Sequence, residues 1–201
     1  DTAMDGVRVM KSYPTLARIA LSSNTLIAQA GIDLYRFSVT ANSKGDVGLS
    51  QFTINVATSS ASTANGTTSV TNLKVYGYTD SAFSSVVPGF TSGQVVATIA
   101  GPANGDNDAA LSSVLTIPMG TTYYFKVTGD VAQVAGTTGS AGTVTTRLSG
   151  DTAYPALPNL MGTSTGVASG FANNSSFVWS PVSTTTAAAA NNDWTNAMKM
   201  P

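Results

Sequence analysis

The chain has no cysteine, no histidine and no glutamate; all ten of its acidic residues are aspartates. Each absence closes off a kind of chemistry. Without Cys or His there is no Ser-His or Cys-His nucleophile pair. Zinc, haem and iron–sulfur centres lose their usual ligands. Charge is scarce, at 9% of residues against about 25% in an ordinary soluble domain. The nine Lys and Arg are dispersed and form no stripe that could track a phosphate backbone, so nucleic acid is not an expected partner. No apolar run approaches the roughly 20 residues of a membrane-spanning helix; Ala187–Ala190 is typical of the longest. With Glu missing and Lys rare, long helices have little to be made from.

What remains is neutral and hydroxyl-rich. Ser and Thr number 53 of 201 residues. Hydrophobic residues at 42% and a mean hydropathy of +0.13 are enough for a real core. A net charge of −1 makes copies of the chain repel one another only weakly, which favours association. The chain opens at Asp1 with no signal segment, as a mature exported protein or an excised piece would. Lack of cysteine is compatible with export without disulfides. The Asn-x-Ser/Thr triplets at Asn65, Asn173 and Asn174 are candidate glycan acceptors.

The dominant hydrophobic period is two. It predicts strands over about 31–41 and 47–57, joined as a hairpin by the Asn42–Asp46 turn cluster. Further strands are expected at 70–78, 95–99, 111–117, 121–128, 143–148 and 177–179. Asn104–Asp108 reads as a tight Asx-rich loop, and single helical turns are allowed at 22–30 and 108–111. Near the start, Val7–Met10 and Thr15–Leu21 read as two strand pieces interrupted at Pro14, which cannot donate to a central ladder. The sum is an all-β antiparallel sandwich of about 9–11 strands with little helix. Phe37, Val39, Phe52, Ile54, Val75, Leu115, Val127, Leu148 and Tyr124 or its neighbour are expected in its core. Residues 22–201 form the body, with a long excursion near 150–176 and a C-terminal tail. Residues 1–21 are an edge segment.

Few side chains suggest chemistry. Asn104, Asp106 and Asp108 place hard oxygens close together, a candidate Ca²⁺ site, though the bidentate Glu of an EF-hand loop has no counterpart. Asp106/Asp108 and Asp130/Asp151 are the nominal carboxylate pairs for glycoside hydrolysis, and turn acids explain them better, so no enzyme and no other cofactor is expected. Lys74 and Lys126 lie within strands, where an isopeptide crosslink competes with a plain solvent-facing lysine. Tyr76, Tyr78 and Tyr123–Phe125 could serve a sugar-binding face or simply pack. Trp179 and Trp194 are expected to pin the tail to the body.

An ordered set of segments carries a resemblance. It runs through Val7-Arg8-Val9, Lys11–Thr15, Leu34–Val39, Gly45–Leu49, Leu73–Asp80, Ile117–Phe125, Thr143–Asp151, Phe177–Pro181 and Asn192–Asn196. In this order it resembles the Ig-like β-sandwich modules of large secreted surface proteins from candidate-phyla (Parcubacteria-like) bacteria. The resemblance implies an extracellular structural or adhesive role and supplies no catalytic residues.

Two functions therefore compete. One is an extracellular structural subunit that polymerises into a filament, pilus or surface layer. In this reading Val7, Val9, Pro14, Ala17, Ile19 and Leu21 belong to a strand given to a neighbouring copy, with Pro14 at the crossover. The same segment serves equally well as the first strand of its own body. The other function is an adhesion module of a larger cell-surface protein, binding a glycan or a host protein.

Overall fold

The computed structural model describes residues 10–59, 68–90, 95–132, 142–150, 177–183 and 194–195. Nine strands follow one another: β1 (Pro14–Ile19), β2 (Gln29–Ala41), β3 (Val47–Ser59), β4 (Ser69–Tyr78), β5 (Val95–Ile99), β6 (Gly105–Ile117), β7 (Thr122–Ala132), β8 (Thr143–Leu148) and β9 (Val178–Ser180). All pairings are antiparallel. One sheet has the order β1-β2-β7-β4-β5; the other has β6-β3-β8, with β9 also paired to β3. The expected all-β antiparallel sandwich is what forms, and no helix occurs among the described residues.

The central strands are those with the strongest β-forming sequences. In β7, Tyr123, Phe125 and Val127 point inward, while Tyr124 and Lys126 point outward. In β3, Phe52, Ile54 and Val56 are buried. The centre of the core is an aromatic triad from three strands: Phe37, Phe52 and Phe125 have ring centroids 5.0–5.1 Å apart, and Phe177 joins at 5.7 Å from Phe52. Burying each such ring stabilises the fold by roughly 1.5–3 kcal/mol. Every residue expected in the core is buried, with Tyr123 and Phe125, rather than Tyr124, facing inward.

Several local expectations are corrected. The strands 31–41 and 47–57 are not a hairpin: β2 lies in one sheet and β3 in the other, so the Asn42–Asp46 turn crosses between layers. Phe37 and Phe52 then meet face to edge through the core instead of side by side on one sheet. The Asn104–Asp108 loop and the 108–111 turn are largely strand, because β6 begins at Gly105 and pairs with Val56 through Gln51 of β3. Asx residues are poor strand formers, but here the side chains are satisfied by their neighbours. Asn107, buried, donates to the carbonyls of Ile54, Ala103 and Gly105 and accepts from the Ala103 amide. In β1, Pro14 and Leu16 point inward and Ala17 is exposed, because Leu16 pairs with Val39, a core residue. Residues 22–28, where a helical turn was allowed, are irregular.

Pro14 opens an edge strand, where its missing N–H costs no ladder bond. The chain ahead of it is held on the β2–β3 turn. Ser12 Oγ donates to the Gly45 carbonyl at 2.6 Å, and the Asn42 amide donates to the Tyr13 carbonyl at 3.1 Å.

Candidate functional site

Among the described residues one side of the sandwich is closed and the other is open. On the closed side β5 lies against β6. On the open side stand β1 and β8, each an edge of its own sheet. Between them runs a groove of about 350 Å³, floored by Leu16, Tyr35, Phe37 and Leu148 with Arg18 and Thr146 at its walls. It continues into a wider cleft of about 620 Å³ under residues 21–27, where Ile32, Leu34 and Val144 add apolar surface. The period of two in β8 creates the groove's second wall: Val144, Thr146 and Leu148 turn inward, and Thr145 and Arg147 face solvent. Thr146 Oγ1 is buried there and has no hydrogen-bond partner. A buried hydroxyl without a partner is costly and calls for an explanation.

A second surface lies on the outer face of the five-stranded sheet. Cross-strand register aligns Arg36, Lys126 and Tyr76 in one row, and Ser38, Tyr124 and Tyr78 in the next. Asp33 bonds the Arg36 guanidinium (Nε at 3.0 Å) and lies 3.6 Å from Lys126 Nζ. The Lys126 ammonium also sits over Tyr76 and Tyr78, 5.6 and 5.9 Å from the ring centroids. Phe83 descends onto this face from the β4–β5 connection, edge-on to Tyr78 and Tyr124 and under the Arg36 guanidinium at 4.9 Å. It does so at φ +57°, a left-handed conformation that an aromatic residue rarely adopts. Asp80 holds the loop in that shape. Its carboxylate accepts from the amides of Ser85, Ser84 and Ala82 and from the Ser84 hydroxyl, which keeps its pKa below the ordinary carboxylate value despite some desolvation. Lys126 thus lies on a central strand within an aromatic cluster, not at an edge.

The acidic cluster is arranged for internal bonding. Asp106 and Asp108 share the outer face of β6. Asp106 Oδ1 accepts from Asn55 Nδ2 at 2.5 Å and from Ser149 Oγ at 2.7 Å. These bonds, with Arg147 nearby, lower its pKa. Asp108 accepts from Thr53 Oγ1 at 2.5 Å, and Asn104 Oδ1 from the amide and hydroxyl of Thr58. Among the described residues no group of three or more acidic side chains is placed to hold a metal ion. Asp130 accepts from Asn72 and Gly31, and Asp151 lies outside the described residues.

The remaining candidates divide in the same way. Pro14, Ala17 and Ile19 belong to β1, paired to β2 of the same chain, and Leu21 follows its end. Val7 and Val9 lie outside the described residues, as do Asn65, Asn173, Asn174 and most of the 150–176 excursion. Trp179 and Trp194 are 3% and 0% exposed. Trp179 and Thr195 exchange two backbone hydrogen bonds, of 3.0 and 2.8 Å, which fasten the tail beside β9. The groove escaped the sequence reading. The alternation of Val144, Thr146 and Leu148 was visible, but that β8 is an edge facing β1 was not.

No family model, no curated protein and no solved structure matches the chain. Among the described residues no helix is long and apolar enough to cross a membrane.

Proposed function

We propose that this chain is a structural subunit of an extracellular surface assembly, a β-sandwich that joins copies of itself through its open side. The observation that carries the reading is the pair of sheet edges, β1 and β8, that carry no further strand among the described residues and flank an apolar-floored groove. Free edges are templates for strand addition, and proteins that avoid it protect them with charges, prolines or cover. Of these devices β1 carries Pro14 and Arg18, and β8 carries only Arg147. A net charge of −1 adds little repulsion between copies. The reading includes no catalysis and no cofactor.

A donor strand from residues 1–21 is one route to such assembly. Pro14–Ile19 already pairs with β2 of its own body, so a donor segment either gives up those pairs or lies ahead of Pro14, at Val7 and Val9. The test is negative-stain microscopy with light scattering across a concentration series. Regular fibres, sheets or discrete oligomers are expected, and monomers under every condition overturn the reading. Assembly that survives removal of residues 1–9 runs through the folded body and not through an N-terminal donor.

A second reading, an adhesion module that binds a glycan, is favoured by the outer face. Tyr76, Phe83 and Tyr124 are half-buried aromatics beside Arg36, Lys126 and Asp33, a combination that suits stacking on a sugar with polar contacts at its rim. Glycan-array binding that is lost in Tyr76→Ala and Phe83→Ala supports it. An array without hits removes it.

A further inference from the structure

We infer that two copies of this chain join by antiparallel pairing of β8 with the β8 of the other copy, in the register that sets Thr146 opposite Thr146. The inference rests on the self-association reading and names its surface. Among the described residues β8 pairs with β3 alone, over Ile54–Ser59, so its other edge is free along all six residues.

Symmetry and side-chain alternation restrict the register. In a two-fold antiparallel pair, residues directly opposite point to the same face. The two-fold axis must therefore pass through a residue, and full overlap is best at Thr145 or Thr146. Centring on Thr145 sets Val144 against Thr146 and Thr143 against Arg147, leaving the inward face of mixed polarity. Centring on Thr146 sets Val144 against Leu148, apolar against apolar, on the inward face. It sets Arg147, the only charge in β8, against neutral Thr145 on the outward face. It also brings the two Thr146 hydroxyls together, which supplies the partner that the buried Oγ1 lacks within the chain. The fold uses the same device twice elsewhere. Thr40 and Thr122 are cross-strand partners with hydroxyls 2.8 Å apart, and Ser59 and Thr143 are partners at 2.6 Å. The joined sheets would be continuous across the dimer, with the two grooves side by side.

The absence of cysteine makes the test direct. Directly opposite residues in antiparallel strands have Cα atoms about 4.5–5.5 Å apart, within disulfide reach. Thr146→Cys is expected to give a disulfide-linked dimer under mild oxidation, while Ser112→Cys, exposed on β6 at the far edge of the same sheet, is not. A mixture of Thr145→Cys and Arg147→Cys chains is expected to link to each other in preference to themselves. Both sites are exposed, so this arm decides the register even where Thr146→Cys lowers stability. Sedimentation of the unaltered chain separates the two ideas. Oligomers whose Thr145→Cys and Arg147→Cys variants link no better together than alone overturn the β8 register and leave self-association standing. A monomer at every concentration overturns both.

Discussion

Asn72 Nδ2 donates to Asp130 Oδ2 at 2.8 Å, and this contact ties two interruptions of one sheet to its central strand. Asn72 stands at φ +51° in a bulge of β4, between Thr71 and Lys74. On the other side of β7, Gly31 stands at φ +70° in a bulge of β2, and its amide donates to the other Asp130 oxygen at 2.9 Å. One carboxylate thus holds a bulge on each neighbouring strand. Asp130→Ala is expected to lower the melting temperature and to speed hydrogen exchange at Gly31 and Asn72, with core amides unaffected. An unchanged exchange pattern would show that the bulges hold themselves.

Beside it, Gly129 faces the side chains of Leu34, Val70 and Leu73. A Cβ there would stand 2.8 Å from Leu34 Cδ1 and 2.9 Å from Val70 Cγ1. Gly129→Ala is expected to destabilise by about 1–3 kcal/mol, the usual cost of overpacking. Adding Leu34→Ala, which removes one of the clashing groups, should cost less in the Gly129→Ala background than in the parent. Chemical denaturation of the four chains gives the coupling directly; simple additivity would refute the contact.

The aromatic triad sets the largest single-residue effect. Phe125→Ala, on the central strand with no exposure, is expected to cost about 3–5 kcal/mol. Met119→Ala, in a turn with 62% exposure, is expected to change stability by less than about 0.5 kcal/mol. Urea midpoints at constant m-value measure both.

Stability should be flat over a wide pH range. With no His, Cys or Glu, no side chain of the chain titrates between the aspartates and the tyrosines and lysines. The plateau should run from about pH 5 to about pH 9. Below it the sign is fixed by Asp80, Asp106 and Asp130, whose pKa values in the folded chain lie below the ordinary 3.8. Their stabilising contribution is present above the unfolded value and is lost as pH falls through the folded values. Urea midpoints should therefore drop only under about pH 4; a step near pH 6–7 would contradict this account.

Both indoles are buried, so native tryptophan emission should be blue-shifted and poorly quenched by iodide, shifting red on unfolding. Free quenching in the native state would mean that the tail is not fastened at Trp179 and Thr195.

Strand positions were legible because local alternation writes them. Thr143–Leu148 and Val95–Ile99 match to the residue, and Phe37 and Phe52 face inward as alternation sets them, while the choice between Tyr124 and its neighbours stayed open. Where parity breaks, the reading fails. Leu34 and Phe37 both reach the core, although alternation sets them on opposite faces, because a register shift between Asp33 and Tyr35 turns the strand. The Asn104–Asp108 segment departs from expectation for a different reason: its own composition favours a turn, and Thr53, Ile54, Asn55, Thr58 and Ser149, distant in sequence, bond its side chains in place as β6 begins.

The sequence by itself determined the class of the protein and what it lacks: an all-β body, a plateau in pH, and no thiol or imidazole chemistry, since these depend on composition and on a local period of two. Tertiary structure alone decided which strands became neighbours and which stayed at an edge. Asn42–Asp46 would serve a hairpin or a crossing between layers equally well. The choice was made by Phe37, Phe52 and Phe125 meeting in one core, which sent β2 and β3 into separate sheets and left β1 and β8 facing each other across an open groove.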